Sequence, residues 1–179
     1  LYAFGIDAGV DTLTSWMRAV SLCAPRIRGG QALLIGETDP TLAQSLMLWN
    51  STLLAQTELR EREQTALPPV FAAACVWGRR DAVKVTLERI GALGGGDLSA
   101  IETTEGMLPS VLGPVPIPQP RTIDSRELEG TADRVKAVVR VPQSRRGELA
   151  LRLRSASARH VAAREPGELR FQLDPKERI

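Results

Sequence analysis

The sequence predicts a mixed α/β fold of the α+β kind, with strands and helices interleaved in its second half. Two observations predict it. Four segments there have the continuous or alternating apolar pattern of strands, and two others have apolar residues at helical spacing. The chain has 179 residues, of which 43% are hydrophobic and 25% charged, so it can bury the core that such a fold needs.

Residues 1–66 predict a helix, a strand and two further helices. Residues 13–24 are apolar at helical spacing, and residues 31–35 form a short apolar run typical of a buried strand. Asp39-Pro40 provides an N-cap and a first-turn proline for the next helix, and residues 51–65 have the pattern of a third. This order is typical of the closing segment of a larger α/β lobe and is too short for a complete α/β domain.

Residues 67–179 predict the order β-α-β-β-α-β. Strands are predicted at 70–77, 107–115, 134–141 and 168–173, and helices at 81–93 and 144–160. The second helix has a candidate buried stripe of Leu149, Leu153, Ala156 and His160. This order is that of the split βαβ, ferredoxin-like unit, an antiparallel sheet with two helices on one face. Residues 117–132, rich in Pro, Glu, Arg and Ser, are predicted to form a long mobile loop.

Few residues are suited to catalysis or metal binding. Cys23 and Cys75 are far apart in sequence, and we interpret them as two buried free thiols in a reducing cytosol, with one disulfide as the alternative. His160 is the only histidine, so neither a structural zinc site nor a His-based catalytic triad is expected. No apolar stretch approaches the roughly 20 residues of a membrane span, and residues 1–22 lack the pattern of a signal peptide. The sequence therefore predicts no catalytic residue, metal ligand or membrane segment.

Basic residues concentrate towards the end of the chain and indicate an anionic partner. From Arg121 onward there are 14 Lys or Arg against nine Asp or Glu, whereas the whole chain has a net charge of +2. Arginines at the start of the helix at 144–160 would bind a carboxylate or phosphate, helped by the helix dipole and the exposed N–H groups. Outward cations on the strand at 134–141 would follow a phosphate backbone. The alternative for both elements is an ordinary solvated face. The candidate phosphate-binding residues are Arg134, Lys136, Arg140, Arg152 and Arg159.

Short motifs along nearly the whole chain follow an informative order. They are Glu61-Arg62-Glu63 with Ala66-Leu67-Pro68-Pro69, then Leu112-Gly113-Pro114-Val115-Pro116, and finally Leu173-Asp174-Pro175. In this order they resemble the E-R-R…L/F-P-P junction, the L-G-P-x-P turn and the V-D-P sequence of the primosomal protein N′ (PriA) family of replication-restart helicases. The sequences Ser15-Trp16-Met17-Arg18-Ala19 and Leu48-Trp49-Asn50 resemble the branch of that family whose helicase motifs have decayed.

The resemblance implies a domain assignment and partners. Residues 1–66 would be the end of the second RecA-like helicase lobe, and residues 67–179 the C-terminal domain. In the family, that domain helps to bind branched or forked DNA at stalled forks, and the whole protein helps to load the replication machinery with other primosome proteins. A basic residue that opens the helix at 144–160, here Arg145 or Arg146, would receive the acidic tail of single-stranded-DNA-binding protein. The implied location is the cytoplasm, at the nucleoid.

One departure from the family bears on catalysis. Members with ATPase activity have a Q-x-x-G-R-A-G-R stretch before the strand at 31–35, and its arginines stabilise charge on the transferred phosphate. Here residues 20–28 read Val-Ser-Leu-Cys-Ala-Pro-Arg-Ile-Arg, without the glycine–arginine pattern. The family's ATP and zinc sites belong to its upstream parts, so we expect this segment to hold no cofactor and not to hydrolyse ATP.

A second hypothesis is a ferredoxin-like module that binds a small regulatory molecule or RNA. Aromatic residues that could stack on bases are few, since Phe171 is the only one that follows Trp77 in the sequence. A stacking platform of the RNA-recognition kind is therefore disfavoured. A salt titration of binding to forked DNA separates the two hypotheses, because phosphate contacts lose affinity steeply with salt.

Overall fold

The computed structural model of the chain describes residues 7–117 and 133–175. The chain divides into two compact units, Leu1–Glu61 and Arg62–Ile179. Apart from Ile117, the loop predicted at 117–132 lies outside the described residues.

The first unit is helical in its described part. Its helices are α1 (Ala8–Val20), α2 (Pro40–Met47) and α3 (Thr52–Gln64), the last of which continues past Glu61. The three predicted helices are confirmed. Asp39 caps α2 as expected, because its carboxylate accepts hydrogen bonds from the N–H groups of Thr41 at 2.8 Å and Leu42 at 3.1 Å.

The strand predicted at 31–35 is wrong. These residues have no strand conformation, and Leu33 and Ile35 are 84% and 90% exposed. A strand exists only where a neighbouring strand satisfies its backbone groups, and the described part of this unit offers none. The end of a RecA-like lobe therefore stays a prediction for this unit.

The second unit is built on a four-stranded antiparallel sheet. In chain order its elements are β1 (Phe71–Arg79), α4 (Arg80–Arg89), β2 (Ala100–Thr103), β3 (Gly106–Pro109), β4 (Val111–Pro116), β5 (Arg134–Pro142), α5 (Arg146–Ala162) and β6 (Leu169–Leu173). The sheet order is β4-β5-β1-β6, and every neighbouring pair is antiparallel. This is the strand order of the ferredoxin-like unit, so the predicted fold is confirmed.

The core lies between one face of this sheet and the two helices. It contains alternate residues of β1 and β5, such as Val76 and Val139, together with Val83 and Leu87 of α4. The predicted stripe of α5 is confirmed. Leu149, Leu153 and Ala156 join the core, and His160 is buried. The 3.6-residue period of the helix places all four positions on one side.

The segment predicted as one strand at 107–115 forms two strands in different sheets. β3 pairs with β2 in a separate hairpin, whereas β4 pairs with β5. Ser110 is the point of change, because its N–H donates to the carbonyl of Ser99 at 3.0 Å and its carbonyl accepts from the N–H of Arg140 at 2.9 Å.

The two cysteines differ in their surroundings. Both are free thiols, but Cys75 is buried in β1 whereas Cys23 is exposed in the turn after α1. The prediction of two buried thiols is therefore wrong for Cys23, since the turn offers no apolar cover.

Candidate functional site

The face of the sheet opposite the two helices contains the basic residues of β5 and the tryptophan of β1. Because side chains alternate along a strand, every second residue of β1 and β5 points to this face. The residues are Phe71, Ala73, Cys75 and Trp77 on β1, and Arg134, Lys136, Val138 and Arg140 on β5. We call this the open face.

One end of the open face is closed by other parts of the chain. A small apolar cluster of Ala66, Phe71 and Ile101 covers it. Arg140 lies beneath this cover and is only 3% exposed. Its Nη1 donates to the carbonyl of Thr65 and its Nη2 to the carbonyl of Pro109, the latter at 2.6 Å.

The position of Arg140 corrects the expectation that it shares a solvated face with Arg134 and Lys136. Burial disfavours a charged group and lowers the pKa of Arg140 from its ordinary value. Its two terminal guanidinium nitrogens bind backbone carbonyls, so the side chain does not lie where it could reach a phosphate backbone.

The other end of the open face contains a cleft. The cleft has a volume of about 320 Å³ and is lined by Cys75, Trp77, Ile117, Arg134 and Lys136. The strand register therefore brings the predicted pair Arg134 and Lys136 together around an aromatic ring. The sequence did not predict that Trp77 lies beside them. The two-residue period of a strand could have placed Trp77 on the same face of β1 as Cys75, but not next to β5.

A single carboxylate holds two of the cations near this cleft. Glu168 accepts from Arg134 at 2.8 Å and from Arg170 at 2.9 Å. Arg134 belongs to β5 and Arg170 to β6, and β1 lies between these two strands in the sheet. Glu168 thus joins a cation of β5 to a cation of β6 beside the cleft.

The start of α5 is an ion-pair network. Arg145 and Arg152 are seven residues apart and lie on the same side of the helix. Asp97, from the loop after α4, accepts from Arg145 at 2.6 Å and from Arg152 at 2.7 Å. Glu148 accepts from Arg145 at 2.7 Å and from Arg152 at 2.5 Å. Two cations face two carboxylates, so this network has no net charge.

Hydrogen bonding sets the ionisation of the network. The bonds from Arg152 and then Arg145 hold the pKa of Asp97 well below its usual range, and the bond from Arg145 is the largest cause that lowers the pKa of Glu148. Both carboxylates therefore stay ionised at neutral pH. The role of Asp97 was missed by sequence reasoning, because Asp97 lies 48 residues before Arg145 in the chain.

Arg146 and Arg159 differ from this pair. The Arg146 side chain is 56% exposed, and its Nη2 lies 2.7 Å from the Asp174 carboxylate. Arg159 is exposed on the outer side of α5. An exposed ion pair contributes little to stability, so the Arg146 guanidinium can exchange Asp174 for another carboxylate at small cost. Of the two predicted tail-binding residues, Arg146 is the more accessible.

His160 has a structural position, as the sequence predicted. It is buried near the end of α5, with Nδ1 at 3.1 Å from Glu165 and Nε2 at 2.9 Å from the carbonyl of Gly167. Glu165 also accepts from Arg89 at 2.8 Å, and this bond is the first cause that lowers the pKa of Glu165. The histidine thus joins α5 to the turn before β6.

Residues 7–117 and 133–175 contain no group of three or more His, Cys, Asp or Glu side chains that could hold a metal ion. Within the same described part, no helix is long and apolar enough to cross a membrane.

The strand order of the sheet and the two helices packed on one of its faces define a ferredoxin-like α+β domain. The chain belongs to the family of primosomal protein N C-terminal domains, whose model matches residues 63–176. It is 31% identical over 177 residues to a protein of Mycobacterium leprae named "Probable replication restart protein PriA", covering 95% of this chain and 24% of that protein. A protein of Mycobacterium tuberculosis with the same name is 30% identical over 174 residues, covering 95% and 25%. The chain thus spans about a quarter of the length of the curated relatives it matches.

Proposed function

We propose that this chain is the DNA- and partner-binding segment of a primosomal replication-restart protein. In that role it would help to recognise stalled or abandoned replication forks and to load the replication machinery. The observation that carries the proposal is the match of residues 63–176 to the primosomal C-terminal domain family. The cations around the open cleft supply the chemistry that DNA binding requires.

DNA would be held by its phosphates, and its branched shape rather than its base sequence would select the site. Arg134 and Lys136 line the cleft, and Arg159 is exposed on α5. Arg152 is bound by Asp97 and Glu148, so it reaches a phosphate only if one of these carboxylates releases it. Arg134 is likewise paired with Glu168, so the proposal rests mainly on Lys136 and Arg159.

The change of Lys136 to alanine tests the phosphate contacts. We expect affinity for a forked DNA to fall, and the slope of log affinity against log salt to decrease by about one, because one phosphate contact is lost. Fluorescence anisotropy at several salt concentrations measures both quantities. Lys84→Ala is the matched control, since it removes the same charge from an exposed position on α4, behind the opposite face of the sheet.

Equal salt slopes for Lys136→Ala and the unchanged protein would contradict this use of the open face. Equal losses of affinity for forked DNA in Lys136→Ala and Lys84→Ala would show that only the overall charge of the chain matters. If forked DNA does not bind at all, while an RNA or a small metabolite raises the melting temperature, the replication-restart role is wrong and the module hypothesis replaces it.

We further propose that the acidic tail of single-stranded-DNA-binding protein docks at the start of α5 through Arg146. A carboxylate there would meet the exposed guanidinium and the positive end of the helix dipole. Arg145 is less suited, since its guanidinium already binds Asp97 and Glu148.

Reversing the charge at Arg146 tests this docking site. Arg146→Glu should weaken the binding of an acidic tail peptide by about ten-fold or more, the loss expected when a charge-assisted hydrogen bond becomes a repulsion. Isothermal titration calorimetry measures the affinity, and circular dichroism checks the fold. Arg154→Glu, another exposed position on α5, is the control. Unchanged affinity in Arg146→Glu would place the tail elsewhere.

A further inference from the structure

Trp77 is the aromatic residue that the sheet presents in the open cleft. It follows six buried residues of β1, yet it is itself only half-buried and lines the cleft. Phe171 of β6, by contrast, packs against the core beneath the helices. Trp77 and Phe171 therefore lie on opposite faces of the sheet. Phe71 shares the open face with Trp77 but belongs to the apolar cluster at the closed end.

Cations stand on both sides of Trp77. In the strand register it is paired with Lys136 of β5 on one side and with Arg170 of β6 on the other. Neighbouring strands are about 4.8 Å apart, so the two cation-bearing backbones lie about 10 Å apart with the indole ring between them. Arg134 is a second cation of β5, and Glu168 joins it to Arg170 because its carboxylate accepts from both guanidinium groups.

We propose that Trp77 stacks on a single unpaired base of DNA, while Lys136 with Arg134 and Arg170 bind the phosphates on either side of that base. Aromatic rings bind bases of any sequence, because every base has a π-face. One ring in a cleft of about 320 Å³, at the lower end of ligand pockets, fits one base rather than a continuous platform. This inference rests on the proposed DNA binding and adds to it the recognition of an unpaired nucleotide.

The distribution of charge favours a nucleotide over the end of an acidic peptide. The terminal carboxylate of a peptide is one localised negative charge, so it would need a group of cations on one side of the Trp77 ring. Here the cations lie on two strands that flank the ring. That arrangement matches a ligand that carries negative charge on both sides of a flat group, as a nucleotide within a strand does.

Two oligonucleotides of the same length separate stacking from phosphate binding. One is oligothymidine, and the other has the same phosphates with abasic sugars throughout. By fluorescence anisotropy, the unchanged chain should bind oligothymidine more tightly than the abasic strand. The expected ratio is roughly five- to one-hundred-fold, the range that about 1–3 kcal/mol of base stacking represents.

Variants of the ring complete the experiment. Trp77→Ala should bind both strands with the low affinity of the abasic one, whereas Trp77→Phe should retain part of the preference and guards against a folding defect. Trp49→Ala, an exposed tryptophan of the first unit, should behave like the unchanged chain.

The outcomes distinguish this inference from the proposed function. If forked DNA binds but the abasic strand binds as well as oligothymidine, stacking is wrong and the proposed function stands. If neither oligonucleotide nor forked DNA binds, both are wrong. If Trp77→Ala instead abolishes the binding of an acidic peptide and leaves the binding of oligothymidine unaffected, the cleft is a peptide site and the inference is overturned.

Discussion

Replacing Arg140 by alanine is expected to lower the free energy of unfolding of the chain's second unit by about 2–4 kcal/mol. The guanidinium is buried and joins three parts of the chain that are remote in sequence, since it binds the carbonyls of Thr65 and Pro109 from β5. The substitution leaves both carbonyls without their charged donor and removes the aliphatic stem from under the apolar cluster. Urea denaturation followed by circular dichroism measures the change.

Arg154→Ala is the control for this prediction, because Arg154 is exposed on α5 and its removal should change the free energy by less than about 0.5 kcal/mol. Arg140→Lys should fall between the two, since an ammonium keeps the charge but lacks the planar fork that reaches two carbonyls. A loss in Arg140→Ala no larger than that of the control would show that the cover over the closed end is held by other contacts.

Replacing Gly78 by alanine is expected to destabilise the second unit by at least about 2 kcal/mol. Gly78 pairs with Leu169 of β6 and has a φ of +148°, a conformation that side chains rarely adopt. A Cβ there would lie 1.9 Å from the carbonyl oxygen of Glu168. That oxygen accepts from the N–H of Arg79 at 2.8 Å, so the start of β6 would have to move away from β1.

This displacement should also affect the open cleft, because Arg170 lies on the strand that moves and Glu168 directly precedes it. We expect Gly78→Ala to weaken DNA binding even below its melting temperature. Gly147→Ala is the matched control, since a Cβ in the first turn of α5 meets nothing within 4 Å. That change should stabilise the chain by about 0.5–1 kcal/mol. Similar stability of the two variants would mean that β6 adapts to the added methyl group.

Local periodicity was enough to predict the order of the four sheet strands and two helices in the second unit, but not the separate hairpin of β2 and β3. The apolar run of β1, the alternation of β5 and the stripe of Leu149, Leu153, Ala156 and His160 are properties of neighbouring residues. Each follows from the two- or 3.6-residue period of its element, so no knowledge of distant contacts was needed. The same logic failed at 31–35, where the apolar run lacks a described partner strand and stays exposed.

The surroundings of the basic residues depend on segments that are distant in sequence, and no local pattern indicates those segments. β5 presents Arg134, Lys136 and Arg140 with the same alternation, and the sequence treats them alike. Thr65, 75 residues before Arg140, and Pro109, 31 residues before it, bind its guanidinium at one end of the face. Arg134 and Lys136 instead line the cleft at the other end.

Asp97 likewise neutralises Arg145 and Arg152 from 48 and 55 residues away. The sequence by itself therefore determined which residues are basic and which side of an element they occupy. Only the tertiary structure decided which cations remain accessible and that Trp77 stands among them, because burial and ion pairing depend on segments brought together by folding.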